Sequence, residues 1–272
     1  MKERQPIKDR FKGRVAIVTG GSAGIGKATM EELCKEGASV AFTGLEQFGH
    51  DLEKQMNAAG YDVAYFQGDM AGEQFCREVV AGTLKKWGKV NHLFNNAFSF
   101  TSKGPDVTRE DWKVVLEVGV VAYALMGSLV ADSMKAQGGG SIVNTSSISA
   151  FIAQPNRWTY NAAKGAVHTL TKCMALDLAP YGIRVNSVSP GWIWTREVDK
   201  AAAGDRAKWE PVWGQYHMLE RCGDPVECAG PVLFLFSDDA SFITAADLAI
   251  DGGYQGLGPE GLGKTSKFAG SK

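Results

Sequence analysis

The stretch YNAAK sets a phenol, Tyr160, and an ammonium, Lys164, at positions i and i+4 of an alanine-rich run that reads as helix. That spacing puts both side chains on one helix face. A tyrosine with its ordinary pKa of about 10 is a poor base at neutral pH; a neighbouring positive charge stabilises the phenolate and brings that value toward the working range. The pair can then exchange a proton. Upstream, Ser147 ends the β-type run SIVNTSS, where its hydroxyl can hydrogen-bond an oxygen held against Tyr160. Taken singly, these residues also read as a solvated helix pair and a strand-end cap.

Groups so far apart in sequence need a scaffold that brings strand ends and helix starts together. Buried-strand runs at 14–20, 39–44, 63–68, 90–96, 141–147, 183–189 and 247–251 alternate with helix-length segments at 25–36, 46–59, 73–88, 108–136, 158–180 and 225–236. Gly37, Gly60, Gly88 and Gly182 stand at helix ends. This alternation predicts a Rossmann-type, doubly wound α/β fold: a mostly parallel seven-stranded sheet with helices on both faces, in a single domain over 1–255. The irregular segment 196–222 reads as a lid. Residues 256–272 form a glycine- and lysine-rich tail.

Directly after the first strand comes TGGSAGIG, with Gly20, Gly24 and Gly26 ahead of a helix. Glycines permit a tight turn and let a pyrophosphate approach the amides of a helix N-terminus. A glycine-rich turn without a ligand would look alike; the place between strand one and a helix favours nucleotide binding. Together with NNA at 95–97, a serine in NTSS, the YNAAK pair, SPGWIWT at 189–195 and the LFLFSDDASFIT and IDGG runs, this loop resembles the short-chain dehydrogenase/reductase family. The resemblance runs from about Arg14 to Gly253.

The resemblance implies hydride transfer between a nicotinamide and a secondary alcohol or ketone. In that scheme Tyr160 is the general acid/base, Ser147 orients the reacting oxygen, and Lys164 tunes Tyr160 and holds the nicotinamide ribose. It also implies a cofactor-binding set. The glycine loop gives Gly20, Ser22, Ala23, Gly24 and Ile25; the strand ends give Asp69, Met70, Asn96 and Ala97; the later loop gives Pro190, Gly191, Ile193 and Thr195, alongside Tyr160 and Lys164. After strand two the chain reads TGLEQ, with Gly44 at the usual acidic position and Leu45 where arginine often marks NADP enzymes. Without a phosphate clamp the reading leans to NAD and leaves NADP open, with Glu46 as a displaced ribose partner.

Two positions depart from the family pattern. Gly119 stands where a fourth catalytic residue, an asparagine, is usual, which predicts an altered proton relay. Phe98 follows NNA where glycine is usual and is expected to wall the substrate pocket. With Ser149, Gln154, Arg157 and Trp192 it makes a substrate-pocket set suited to a sugar, polyol or cyclic alcohol, and nearly as well to an apolar cyclic ketone. A catalytically silent, cofactor-binding scaffold is the competing reading that the two departures raise.

The net charge of -1 and pI near 6.4, with no basic run, give no nucleic-acid footprint. Five cysteines without CxxC spacing and four dispersed histidines suggest reduced thiols and no metal site. The charged N-terminus and the short apolar runs, such as PVLFLF, lead to the expectation of a cytoplasmic protein without a membrane span. The helix at 108–136 is apolar on more than one side, which predicts a homo-oligomer, and the family resemblance implies a homodimer or homotetramer.

Overall fold

The computed structural model describes residues 4–258 and 261; most of the expected tail lies outside the described residues. From the N-terminus, β1 (Val15–Val18), α1 (Gly24–Lys35), β2 (Ser39–Gly44), α2 (Phe48–Ala58), β3 (Val63–Gln67), α3 (Glu73–Trp87) and β4 (His92–Asn95) build the first half. There follow α4 (Arg109–Leu116), α5 (Ala122–Ala136), β5 (Gly140–Thr145), α6 (Trp158–Leu178), β6 (Ile183–Pro190), α7 (Arg196–Ala201), α8 (Arg206–Gly214), α9 (Pro225–Phe236) and β7 (Asp247–Ile250).

The seven strands form one sheet in the order β3-β2-β1-β4-β5-β6-β7, and every neighbouring pair is parallel. Parallel strands need crossovers, and helices on both faces supply them. Alternation along each strand divides the core. Ala16 and Val18 of β1 face a cluster with Met30 and Leu33 of α1, Leu52 of α2 and Leu233 of α9. Ile17, between them, faces Val79 of α3, Met126 and Val130 of α5 and Ala175 of α6. The chain winds one way from β1 to β3 and the other from β4 to β7. The carboxyl ends of β1 and β4 therefore flank the switch point where open α/β sheets bind ligands.

The sequence pattern predicts one continuous helix over 108–136. The structure instead inserts a π-helical turn at Glu117–Val121, centred on buried Gly119. Glycine weakens the α-helical ladder there, and single π turns collect at functional sites. The whole stretch Arg109–Ala136 is, by length and composition, long and apolar enough to cross a membrane, contrary to the count of short apolar runs. Its packing against α3, β4, β5 and α6 accounts for much of that apolar character.

Candidate functional site

At the carboxyl end of β1 the chain turns on Gly20 (φ 65°) and enters α1 at Gly24 (φ 55°), both in the left-handed region that favours glycine. Gly26 is needed for space: a Cβ there would lie 2.3 Å from the Gly20 carbonyl oxygen and 2.6 Å from Asn96 Nδ2. The Asn96 amide donates to the carbonyls of Thr19 (3.1 Å) and Gly20 (3.3 Å), and Gly20 N–H donates to Thr43 Oγ1 (3.1 Å). Thr19 Oγ1 in turn accepts from the amides of Asn96 and Ala97. Sequence reasoning missed Thr19 and Thr43. Their signal was a hydroxyl at the carboxyl ends of two adjacent strands at the switch point.

The N-cap of α1, Ala23, offers no side-chain cap, so the first-turn amides stay available to an anion. A cavity of about 600 Å³ opens beside them, lined by Gly20, 22–25, 43–46, 68–70, 96–100 and Thr195. These features fit a dinucleotide. An adjoining cavity of about 290 Å³ gathers 145–149, Gln154, Arg157, Tyr160, Lys164 and 190–193. The two meet at Ile25, Asn96, Phe98, Phe100 and Thr195, which line both. Every residue expected to bind cofactor or substrate lines one or both cavities. Asn156, between Gln154 and Arg157 in sequence, lines neither and braces the 102–104 loop, its backbone carbonyl accepting from Ser102 Oγ.

Ser147, Tyr160 and Lys164 share the smaller cavity. Ser147 caps a short 3-10 turn, its Oγ accepting from Ser149 N–H at 3.1 Å. Burial raises the Tyr160 phenol above its ordinary pKa, opposed by the Ser147 hydroxyl and the charge of Arg157. The protein alone thus does not give the lowered phenol expected from the sequence, because its own desolvation outweighs these two influences. Burial pulls the Lys164 ammonium down to about 7. Its Nζ donates to the Thr145 carbonyl at 2.8 Å and lies 3.7 Å from the centroid of the Phe98 ring.

Phe98 meets Tyr160 edge-on, with centroids 5.2 Å apart, and Phe100 stacks on the same phenol at 6.1 Å. Phe100 escaped the sequence reading, although its i, i+2 spacing from Phe98 was visible. Arg157 lies over both Tyr160 and Trp192, 5.7 Å from each ring. Trp213 of the lid stacks on Trp209 and on Trp192 and lies tilted against Trp194, and of these four Trp192 lines the cavity.

The expected role of Glu46 changes. Its carboxylate accepts from Arg196 of α7 at 2.6 Å, across the mouth of the larger cavity. Arg196 and Lys200 line that mouth too, positive charges that the motif around Gly44 gave no sign of. Gly44 itself has no room for a side chain: a Cβ would lie 2.3 Å from Ser22 Oγ and 2.9 Å from the Tyr65 hydroxyl.

Comparison with known proteins agrees with this geometry. Residues 20–255 match the family model described as enoyl-(acyl carrier protein) reductase. The chain is 35% identical to cyclopentanol dehydrogenase of Comamonas sp., over 90% of this chain and 98% of that protein. It is 37% identical to the NADP-dependent (R)-specific alcohol dehydrogenase of Lentilactobacillus kefiri, over 91% and 99%. The crystal structure of levodione reductase superposes with a TM-score of 0.85 at 30% identity, covering 91% of this chain and all of that one. A glycine-loop dinucleotide cavity abutting the Ser147, Tyr160 and Lys164 cavity, on a seven-stranded parallel sheet, has the same origin as these likenesses: the chain belongs to the short-chain dehydrogenase/reductase family, a family of NAD(P)-dependent oxidoreductases.

Proposed function

We propose that this protein interconverts a cyclic secondary alcohol and its ketone with NAD as the preferred dinucleotide. The observation that carries the reading is the convergence of Ser147, Tyr160 and Lys164 in one cavity that opens onto the dinucleotide cavity. The nicotinamide, when bound, supplies the hydride acceptor or donor. Tyr160 Oη exchanges the proton with the substrate oxygen, and Ser147 Oγ donates to that oxygen and orients it. Lys164 favours the phenolate through its charge and offers its remaining donors to the nicotinamide ribose.

The aromatic walls Phe98, Phe100 and Trp192 suit the C–H faces of a ring, while Gln154, Ser149 and Arg157 supply polar contacts at its edge. The relative named cyclopentanol dehydrogenase supports a cyclic substrate for this chain too. For the cofactor, the Glu46 carboxylate at the cavity mouth repels a 2′-phosphate and already occupies the guanidinium of Arg196. These features support NAD; the NADP-dependent relative makes the ratio of kcat/KM for the two dinucleotides the deciding measurement.

The test is a substrate panel followed by nicotinamide absorbance with both dinucleotides. Turnover of cyclic secondary alcohols, favouring NAD, is expected; activity on open-chain substrates alone, or a strong NADP preference, would contradict the reading. A silent scaffold remains the second reading because of Gly119 and Phe98, and any detectable alcohol turnover dismisses it. The exposed free thiol of Cys173 suits a reducing compartment, and we place the protein in the cytoplasm.

A further inference from the structure

Phe98 and Gly119, which depart from the family pattern separately in sequence, touch in space. A Cβ built on Gly119 would lie 2.2 Å from Phe98 Cε2 and 2.8 Å from Cδ2. No side chain fits at 119 while the ring keeps its place, and the π-helical turn presents that bare position to the ring. The same ring lies over Lys164, with Nζ 3.7 Å from its centroid, and its plane stands at 81° to that of Tyr160. Lys164 is 2% exposed, and among the described residues its ammonium makes one hydrogen bond, to the Thr145 carbonyl, and no ion pair. An ammonium has three donors, and an aromatic face attracts a desolvated cation through its quadrupole.

We propose that Phe98 and Gly119 form one functional unit. The ring fills the room left by the missing amide side chain, and its face positions the Lys164 ammonium and keeps it charged beside Tyr160. Phe98 is thus a positioning residue that acts through Lys164, and Gly119 is the space it requires. The proposal rests on the reading of Tyr160 and Lys164 as the proton-exchanging pair. The titratable groups whose rings lie near Lys164 are Tyr160 on α6, 5.8 Å from Nζ, and Tyr123 from α5, at 6.0 Å; Arg157 lies over the Tyr160 ring.

The coupling is read by a double-mutant cycle of Phe98→Gly, Gly119→Asn and the pair together, measured by urea unfolding and by kcat/KM. Gly119→Asn alone is expected to destabilise the protein and to lower kcat/KM by about a hundredfold, and Phe98→Gly alone by about tenfold. The double variant is expected to fold and to recover to within about tenfold of the parent. A double variant as impaired as the product of the singles, or one that fails to fold, overturns the unit. Because unfolding needs no substrate, the cycle tests the unit even if the dehydrogenase reading fails.

Phe98→Leu keeps an apolar cover and removes the aromatic face. Its pH profile for alcohol oxidation is expected to move toward alkaline pH, with about a tenfold loss near neutrality, because a less charged Lys164 leaves Tyr160 a weaker acid. A profile unchanged from the parent contradicts the positioning role.

Discussion

Lys164 is a cation that burial opposes, and that opposition has a measurable sign. Its folded value, pulled down to about 7, lies below the ordinary 10.5, so between those limits the unfolded chain binds more protons than the native one. The native state therefore gains stability as pH rises through this window, at up to about 1.4 kcal/mol per pH unit, and carries the full penalty below it. Unfolding of the dinucleotide-free protein should show this rise from about pH 7 toward pH 10, and Lys164→Met should lack it. Equal slopes in the two proteins would show that the ammonium is not desolvated. YNAAK made Tyr160 and Lys164 legible in the sequence, because i and i+4 spacing fixes a shared face. The aromatic cover over the ammonium was not legible: nothing in the spacing of Phe98, Gly119 and Lys164 tells that three separate elements bring them into contact.

At the scale of elements, the glycine loop acts as a rigid cradle because Asn96, Thr19 and Thr43 hold it from two neighbouring strands. Gly26→Ala would drive a methyl group into the Gly20 carbonyl and the Asn96 amide. Dinucleotide affinity is expected to fall by more than tenfold, with a stability loss of about 1–3 kcal/mol, by fluorescence titration and urea unfolding. Unchanged affinity would mean that the loop does not bind the dinucleotide in this shape. A second element-level device ties the N-terminal segment to α1. Glu36 is fully buried and accepts from Arg4, from Arg10 and from the Ile7 amide. Glu36→Ala strands these donors and should cost about 3 kcal/mol in equilibrium unfolding; a loss within experimental error would show that the N-terminal segment is not anchored there. Strand and helix succession was readable from periodicity, and each predicted strand overlaps an observed one. The π turn within 108–136 was not, since a hydrophobic pattern records which side is buried and is blind to one extra residue in a turn.

Across the whole molecule, the alternation of strands and helices made the doubly wound sheet legible in the sequence, while the strand order that places the switch point is set by crossovers that the alternation does not record. Partners are harder to read. Exposed Val114 and Val121 on the helical stretch through the π turn, with Trp158 and Leu176 on α6, leave apolar surface where we propose that a second copy packs. Light scattering should then give a dimer or tetramer; a monomer at all concentrations would reject the interface. The opposed charges of Glu46 and Arg196 join the strand end to the lid only when the chain is folded, so the sequence alone showed the first without its partner.

All these scales meet in one chemical claim, that the phenol at 160 passes the proton while the surrounding cavities hold the reactants. Tyr160→Phe removes one oxygen and leaves the ring packing intact, so its comparison with the parent is the most direct measurement: turnover of a cyclic alcohol by absorbance, beside NAD affinity by fluorescence titration. The account predicts turnover lost by about a thousandfold or more with NAD affinity retained. Turnover at the parent's rate would contradict it.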